Sequence, residues 1–349
     1  MARKDNFKIL APVMRPGDIK TLKSSGASEL FCGYVPGKLS EKWPVAFNVL
    51  NRRGDDGNIT DHETFKDLAS EAGAQGLPLF VTVNGLYTPE QYPLLMEMIG
   101  GLENLRGVEG VIIADVGLLL ALKKMKFKKE IHMGTGGTCF NSATADLYAG
   151  LGASRVTLDR QMTGAEIRAL LDNIRSGIGT EIFIHREGCG GFIDGFCTFF
   201  HCQEHPRQHK VGDKLISQSY NTGQYSRGCE IFWQKDKSSI YNVKTRRPAG
   251  SGVKRAAGSG LATECRICDL YELKGCSVTA LKIVGRGCDA AQISRSVRFV
   301  AEALSYLGRG AVSRKEYTEK CQKLYSGMFN NNRRCSKYNC YFSPRWTGK

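Results

Sequence analysis

The sequence predicts an α/β fold, a (β/α)8 barrel of the TIM type, from two patterns in its 349 residues. Eight short apolar segments rich in β-formers recur along the chain, and helical patterns separate them. Near-continuous apolar strands that alternate with helices are typical of a parallel sheet buried on both faces. Eight such units indicate a closed barrel, and barrels of this length commonly form one domain with insertions.

The eight predicted strands share a run of four to eight mostly apolar residues. They are 7–13 (FKILAPV), 29–34 (ELFCGY), 77–84 (LPLFVTVN), 108–115 (VEGVIIAD), 130–135 (EIHMGT), 154–160 (SRVTLDR), 181–185 (EIFIH) and 279–286 (TALKIVGR).

The helices between these strands have recognisable start signals. Residues 16–18 (PGD) begin the first, residues 88–90 (TPE) offer a cap followed by proline, and Ser142 opens a helix after the fifth strand. Residues 163–166 (TGAE) form a capping-box pattern. Residues 290–307 predict a final amphipathic helix.

The predicted domain organisation is a barrel over residues 1–310 and a tail over residues 311–349 that is rich in cysteine and aromatic residues. Residues 186–278, between the seventh and eighth strands, are too long for an ordinary loop and predict a cysteine-rich lid. For the tail's Cys335 and Cys340, a cover over the barrel mouth and a second metal site are two possible roles, and the sequence favours neither.

Polar residues follow many of the predicted strands. In a TIM barrel the carboxyl ends of the strands surround the active site. The candidate catalytic residues are therefore Asn84, Asp115, Asn141, Arg160, His185 and Arg286. For each of them, a helix cap or a supporting hydrogen bond is the competing interpretation.

Eight of the thirteen cysteines lie between residues 181 and 288. The chain begins without an apolar signal region, which favours a reducing cytoplasm, where thiolates bind metals more often than they form disulfides. Their dispersed spacing favours an iron–sulfur cluster over zinc, with buried inert thiols as a third interpretation. No apolar run is long enough to cross a bilayer.

The formal net charge of +15 favours a polyanionic partner or an anionic substrate, although scattered lysines also keep proteins soluble. Residues 244–260 (KTRRPAGSGVKRAAGSG) are basic and rich in glycine. This segment is either a flexible connector or an arm that contacts phosphates.

Several blocks in order resemble the peptidase U32 family: ILAP, GASELFCGY, VTVNGLY, VEGVIIADVGLL, LGASRVTLDRQMTGAEI, EIFIHREGC and LKIVGRG. The resemblance implies an eight-stranded barrel and a [4Fe-4S] cluster bound by Cys189, Cys197, Cys229 and Cys268. Cys202 and Cys265 are alternatives for one ligand each. His185 and Arg286 match family positions, whereas Gln161 and Val284 stand where the family has glutamate.

The resemblance also implies chemistry. Better-understood members of this family are oxygen-independent hydroxylases of RNA bases or of the aromatic ring of a quinone precursor, and proteolysis is attributed to others. The chain contains no Gly-x-Ser-x-Gly elbow and no His-Glu-x-x-His helix. We therefore expect a hydroxylase that acts on RNA or on a small aromatic substrate, with a related subunit as a further partner.

In that hydroxylase, Arg160 and Arg286 would bind an anionic oxygen donor or substrate, and His185 would transfer the proton. The alternatives are a U32-type peptidase and a non-catalytic iron–sulfur or RNA-binding protein.

Overall fold

The chain closes into a barrel of eight parallel strands, which confirms the predicted fold class. A computed structural model describes residues 7–37, 57–160, 162–185, 265–308 and 312–329, together with four short strands between residues 208 and 244. The barrel strands are β1 (Lys8–Pro12), β2 (Glu29–Gly33), β3 (Leu79–Val83), β4 (Val108–Ile113), β5 (Glu130–Met133), β6 (Arg155–Thr157), β7 (Gly179–His185) and β12 (Ala280–Ile283). The last of these closes the ring between β7 and β1.

The helices lie between the strands in the order that the sequence predicts. They are α1 (Ile19–Ser24), α2 (His62–Ala74), α3 (Tyr92–Asn104), α4 (Val116–Met125), α5 (Ser142–Gly150), α6 (Gly164–Asn173), α7 (Ala290–Gly308) and α8 (Arg314–Met328). The predicted capping box is present, since the Thr163 backbone N–H donates to Glu166 Oε2 at 2.7 Å and the Glu166 N–H donates to Thr163 Oγ1 at 3.2 Å. Local sequence therefore determines where these helices begin.

The four short strands form two antiparallel pairs within the predicted insertion. β8 (Gln208–Val211) pairs with β9 (Lys214–Ser217), and β10 (Phe232–Gln234) pairs with β11 (Asn242–Lys244). The remaining residues of the insertion before Cys265 lie outside the described residues, as do residues 330–349 of the predicted tail. None of the described helices combines the length and apolar character needed to span a bilayer.

The barrel interior has an apolar layer formed by Leu10, Phe31, Phe80 and Ile112. A larger apolar core lies outside the strands, where helices pack on the barrel. α7 contributes one buried face to this core, including Ile293, Val297 and Val300, and α8 packs against α7. The first half of the predicted tail is therefore a helix docked on the barrel.

Charged residues also fill the interior, and we call Glu29, Arg155, Glu181 and Lys282 the ionic core. Arg155 donates two hydrogen bonds to the Glu29 carboxylate, at 2.6 and 2.8 Å. Lys282 Nζ donates to Glu181 Oε1 at 2.8 Å. Two carboxylates and two cationic side chains thus balance in charge inside the barrel. Their mutual attraction offsets the free-energy cost of removing each charge from water.

Candidate active site

The carboxyl ends of the barrel strands form a mouth in which two arginines are held by other side chains. Arg286, which follows β12, donates from Nη1 to the Thr82 hydroxyl of β3. Thr82 in turn donates to the Cys32 carbonyl oxygen at 3.1 Å. Because the hydrogen bond to the Cys32 carbonyl fixes the Thr82 hydroxyl, Thr82 holds the Arg286 guanidinium beside the ends of β2 and β3.

Gly33, the last residue of β2, makes room for this arginine. A side chain at that position would overlap with Arg286 Nη1 and with the Asn58 side-chain oxygen. Glycine is therefore required here by the close approach of two polar groups. Thr82, Gly33 and Asn58 were not among the predicted site residues, and only the glycine at a strand end gave a signal in the sequence.

Arg160, which follows β6, lies on the opposite side of the eight-stranded ring from the Arg286 guanidinium. It is buried, and its guanidinium carbon lies 4.9 Å from the centre of the Phe183 ring of β7. Cation–π contact of this kind stabilises a guanidinium with little surrounding water. Two cationic groups therefore border the mouth from two sides.

Beneath the mouth, Phe183 also contacts the ionic core, since Lys282 Nζ lies 6.0 Å from its ring centre. Burial raises the pKa of Glu181, but Lys282, Arg155 and His132 lower it by more, to about 2. Glu181 is therefore a carboxylate at neutral pH and a partner of fixed cations. This arrangement suits a rigid charged floor rather than a group that exchanges protons.

Asp115 and Asn141 cap helices at the mouth. Asp115 accepts a hydrogen bond from Leu118 N at 3.1 Å at the start of α4, and another from Tyr87 N at 3.0 Å. Asn141 Oδ1 accepts from Thr144 N at 2.9 Å at the start of α5. These contacts give both residues a structural role, and a catalytic role for them stays a prediction.

Asn84 follows β3 and is half-buried at the mouth, next to the exposed Leu86. Among the predicted residues, Asn84, Arg160 and Arg286 therefore follow strands whose carboxyl ends form the mouth, and their contact with a substrate stays a prediction.

His185 ends β7 but does not lie among these groups. Its ring is fully buried and its centre lies 5.1 Å from that of Phe299 on α7 and 5.0 Å from that of Phe329 after α8. The register between β7 and β12 shifts so that Ile283 pairs with His185, one residue beyond the regular partner. Regular alternation would point His185 inward with Glu181 and Phe183, whereas the shifted strand end directs its ring to the helices.

Residues 265–271, which we call the cysteine turn, follow the insertion and dock beside β7. Cys265 forms an antiparallel bridge with His185, and Arg266 N donates to the Ile184 carbonyl oxygen at 3.1 Å. Arg266 Nη2 donates to the Met162 carbonyl oxygen at 2.7 Å, two residues beyond Arg160. The turn is therefore tied both to β7 and to the loop that carries Arg160.

The two cysteines of this turn have different surroundings. Cys265 is buried, and its sulfur accepts a hydrogen bond from Ile267 N at 3.5 Å. Cys268 is half-buried. Backbone N–H groups that donate to sulfur are a common support for metal-bound thiolates. Cys189, Cys197, Cys229 and Cys202 lie outside the described residues, and the described parts of the chain contain no group of three metal-binding side chains.

Two other cysteines are core residues. Burial raises the pKa of Cys32 to about 12, although the nearby Arg286 lowers it in part. Burial likewise raises the pKa of Cys139 to about 12. Both are thiols at neutral pH, so neither has the thiolate character that a nucleophile needs.

The model for peptidase family U32 matches residues 17–342, nearly the whole chain. The chain belongs to peptidase family U32. The chain is also similar to the tRNA hydroxylation protein P of Helicobacter pylori (strain ATCC 700392 / 26695), with 25% identity over 265 residues. The match covers 73% of this U32 chain but 57% of the relative, so this chain spans little more than half of that protein's length.

Solved structures with some similarity to this chain include the U32 peptidase Mk0906, with a TM-score of 0.40 and 13% identity over 53% of this chain and 71% of that one. A protein from Aquifex aeolicus VF5 gives a TM-score of 0.35 and 11% identity over 51% and 74% of the two chains. These scores lie below 0.5, and the likeness carries no information about function.

Proposed function

We propose that this U32 protein is an oxygen-independent hydroxylase of an RNA base and that it uses a [4Fe-4S] cluster. The observation that carries the proposal is the similarity to a protein named for tRNA hydroxylation over 73% of the chain. The high positive charge of the chain is consistent with an RNA substrate, because cationic side chains displace counterions from phosphates.

The residues at the cysteine turn fit a cluster. The bridge between His185 and Cys265 brings both ends of the insertion to one place. Cys189 follows His185 by four residues, a distance of at most about 14 Å along an extended chain. Cys189, Cys197, Cys229 and Cys268 would hold the cluster, with Cys265 as the alternative to Cys268. When bound, such a cluster supplies redox or Lewis-acid chemistry next to the mouth.

The mouth residues would bind and orient the reactants. Arg160 and Arg286 each present a planar guanidinium suited to a phosphate or a carboxylate, and they border the mouth from opposite sides. Asn84 offers an amide for hydrogen bonds to a base edge. Converting a ring C–H to C–OH removes two electrons from the ring, so an oxygen donor, here an anionic one, is reduced by two electrons.

His185 takes a different role from the one that the sequence predicts. Its ring packs between α7 and α8, and its backbone holds the cysteine turn. The proposal therefore assigns His185 to positioning the turn and assigns substrate contact to Arg160, Arg286 and Asn84.

The reaction is tested by deleting the gene and comparing tRNA nucleosides and quinones by mass spectrometry in cells grown without oxygen. We expect one hydroxylated nucleoside to disappear, to return with the wild-type gene, and to stay absent with Arg286→Ala. Arg298→Ala, an exposed position on α7, is the matched control and should restore the nucleoside. A change confined to quinones would move the substrate to a small aromatic ring, and peptide cleavage by cluster-free protein would support the peptidase alternative.

The cofactor is tested separately by iron and sulfide analysis of anaerobically purified protein. We expect about four of each per chain, lost on Cys229→Ala and retained on Cys32→Ala. Comparing Cys265→Ala with Cys268→Ala identifies the ligand in the turn. Stoichiometric zinc without sulfide would refute the cluster.

A further inference from the structure

A stripe of α8 covers both the cysteine turn and the end of β7. Tyr317, Cys321 and Tyr325 recur every four residues and therefore lie on one face of the helix, and Phe329 follows at the same spacing just after the helix ends. The first three of these side chains are buried. Tyr325 and Phe329 contact the His185 ring, while Tyr317 reaches the cysteine turn.

Tyr317 holds the centre of that turn. Its hydroxyl donates to the Ile267 carbonyl oxygen at 3.2 Å. That carbonyl belongs to the peptide unit joining Ile267 to Cys268. The hydrogen bond therefore fixes the orientation of the peptide plane next to Cys268. The Tyr317 ring also lies 6.0 Å from that of Tyr271, at the other end of the turn.

A second anchor holds the turn from the barrel side. Arg266 lies between the two cysteines and is almost fully buried. It donates to the Met162 carbonyl oxygen at 2.7 Å and contacts Asp269 Oδ2 at 3.3 Å. With Arg266 on one side and Tyr317 on the other, the turn is fixed by groups that are themselves immobilised in the core.

We infer that Tyr317 is a positioning residue that orients the cysteine turn for metal binding. The inference rests on the proposed function, because it takes the cysteine turn to supply a cluster ligand. Removing a hydrogen bond that orients a metal ligand commonly lowers metal affinity by about 10- to 100-fold. A hydroxyl that fixes the peptide next to the ligand belongs to this class.

The test compares Tyr317→Phe with Tyr148→Phe under anaerobic conditions. Both substitutions keep the ring and remove one buried hydroxyl that donates to a backbone carbonyl, but Tyr148 donates to Gly137 in the loop after β5, outside the cysteine turn. The first measurement is the rate at which a ferrous chelator removes iron from each variant. The electron paramagnetic resonance spectrum of the reduced protein and its midpoint potential are recorded alongside it. We expect about tenfold faster iron loss and an altered spectrum for Tyr317→Phe only.

A second measurement does not depend on the cluster. Amide hydrogen exchange of residues 266–271 in metal-free protein should accelerate about fivefold in Tyr317→Phe, because one hydrogen bond that holds the turn is absent. Tyr148→Phe should leave this exchange unchanged.

The outcomes separate the inference from the proposed function. Wild-type protein without iron and sulfide would overturn the proposed function, and amide exchange would still decide whether Tyr317 holds the turn. If the wild type contains the cluster but the two variants release iron at the same rate, the positioning role is wrong. Unchanged exchange in Tyr317→Phe would overturn it as well.

Discussion

Replacing Lys282 by methionine tests whether the ionic core is a balanced set of charges. Methionine keeps most of the lysine stem and removes the cation, whose Nζ lies 4.8 Å from the Phe31 ring centre. The substitution leaves Glu181 with Thr157 at 2.9 Å and Arg155 at 3.6 Å. Arg155 is already paired with Glu29, so one negative charge in the core loses its main partner.

The pKa of Glu181 sets the size of the expected effect. It lies at about 2, against an ordinary value of 4.5, and Lys282 is the largest of the charges that lower it. A shift of this size corresponds to about 3 kcal/mol in favour of the carboxylate. Because removing Lys282 also leaves a buried charge uncompensated, we expect a loss of about 3–5 kcal/mol in the free energy of unfolding at pH 7.

The pH dependence gives a sharper test. In the wild type, folding lowers the pKa of Glu181. The Glu181 carboxylate therefore makes its full contribution to the free energy of unfolding above pH 4.5, and this contribution is lost as the pH falls toward 2. In Lys282→Met, burial favours the protonated acid. The difference in unfolding free energy between the two proteins should therefore shrink on acidification from pH 7 to pH 4.

Urea unfolding followed by circular dichroism measures these differences. Lys8→Met is the matched control, since Lys8 Nζ also donates to a glutamate, Glu29, at 2.8 Å but its side chain is 44% exposed. We expect it to cost less than about 1 kcal/mol. Adding Glu181→Gln to Lys282→Met should recover much of the loss. The reasoning is refuted if Lys282→Met lowers the free energy of unfolding equally at pH 7 and pH 4. It is also refuted if the double variant with Glu181→Gln is no more stable than Lys282→Met alone.

Three further perturbations address the mouth, a helix start and the RNA substrate. Gly33→Ala should displace Arg286 and lower kcat/KM by up to about a hundredfold. The control Gly37→Ala, whose added methyl group meets no atom within 4 Å, should leave kcat/KM unchanged. Equal kcat/KM values for the two variants would show that Arg286 has room to move. Thr163→Ala removes the cap of α6 and should cost about 1 kcal/mol in urea unfolding, and an unchanged midpoint would argue against the cap. The logarithm of the tRNA affinity should fall linearly with the logarithm of the salt concentration. Neutralising the five basic residues of 244–260 should reduce the slope of this line by up to about 4. An unchanged slope would show that the segment is a connector.

The strands and helix starts were predictable because their signals are local. Val111, Ile112 and Ile113 are buried on both faces of the sheet, and that burial is visible in the sequence as an unbroken apolar run. Thr163 and Glu166 are three residues apart, so their capping box is also a property of neighbours. The arginines at the mouth follow from the fold class itself, because strand ends meet at one rim.

The ionic core and the position of His185 depend on tertiary contacts that no local pattern contains. Glu29 and Arg155 are 126 residues apart, and only closure of the barrel brings them together. The ring of His185 turns outward because the register between two strands distant in sequence shifts near its position. Tyr317 reaches the cysteine turn from 50 residues away, and its helix shows only the usual amphipathic spacing.

The position of α8 in the chain has a consequence for biosynthesis. A ribosome makes Cys268 before it makes α8, whose last residue is Met328. At roughly 5–20 residues per second, the intervening 60 residues take on the order of 3–12 s. During that interval α8 does not yet pack against the cysteine turn. If the turn supplies a ligand to the proposed cluster, iron–sulfur assembly proteins would therefore reach it more easily on the nascent chain than in the completed protein.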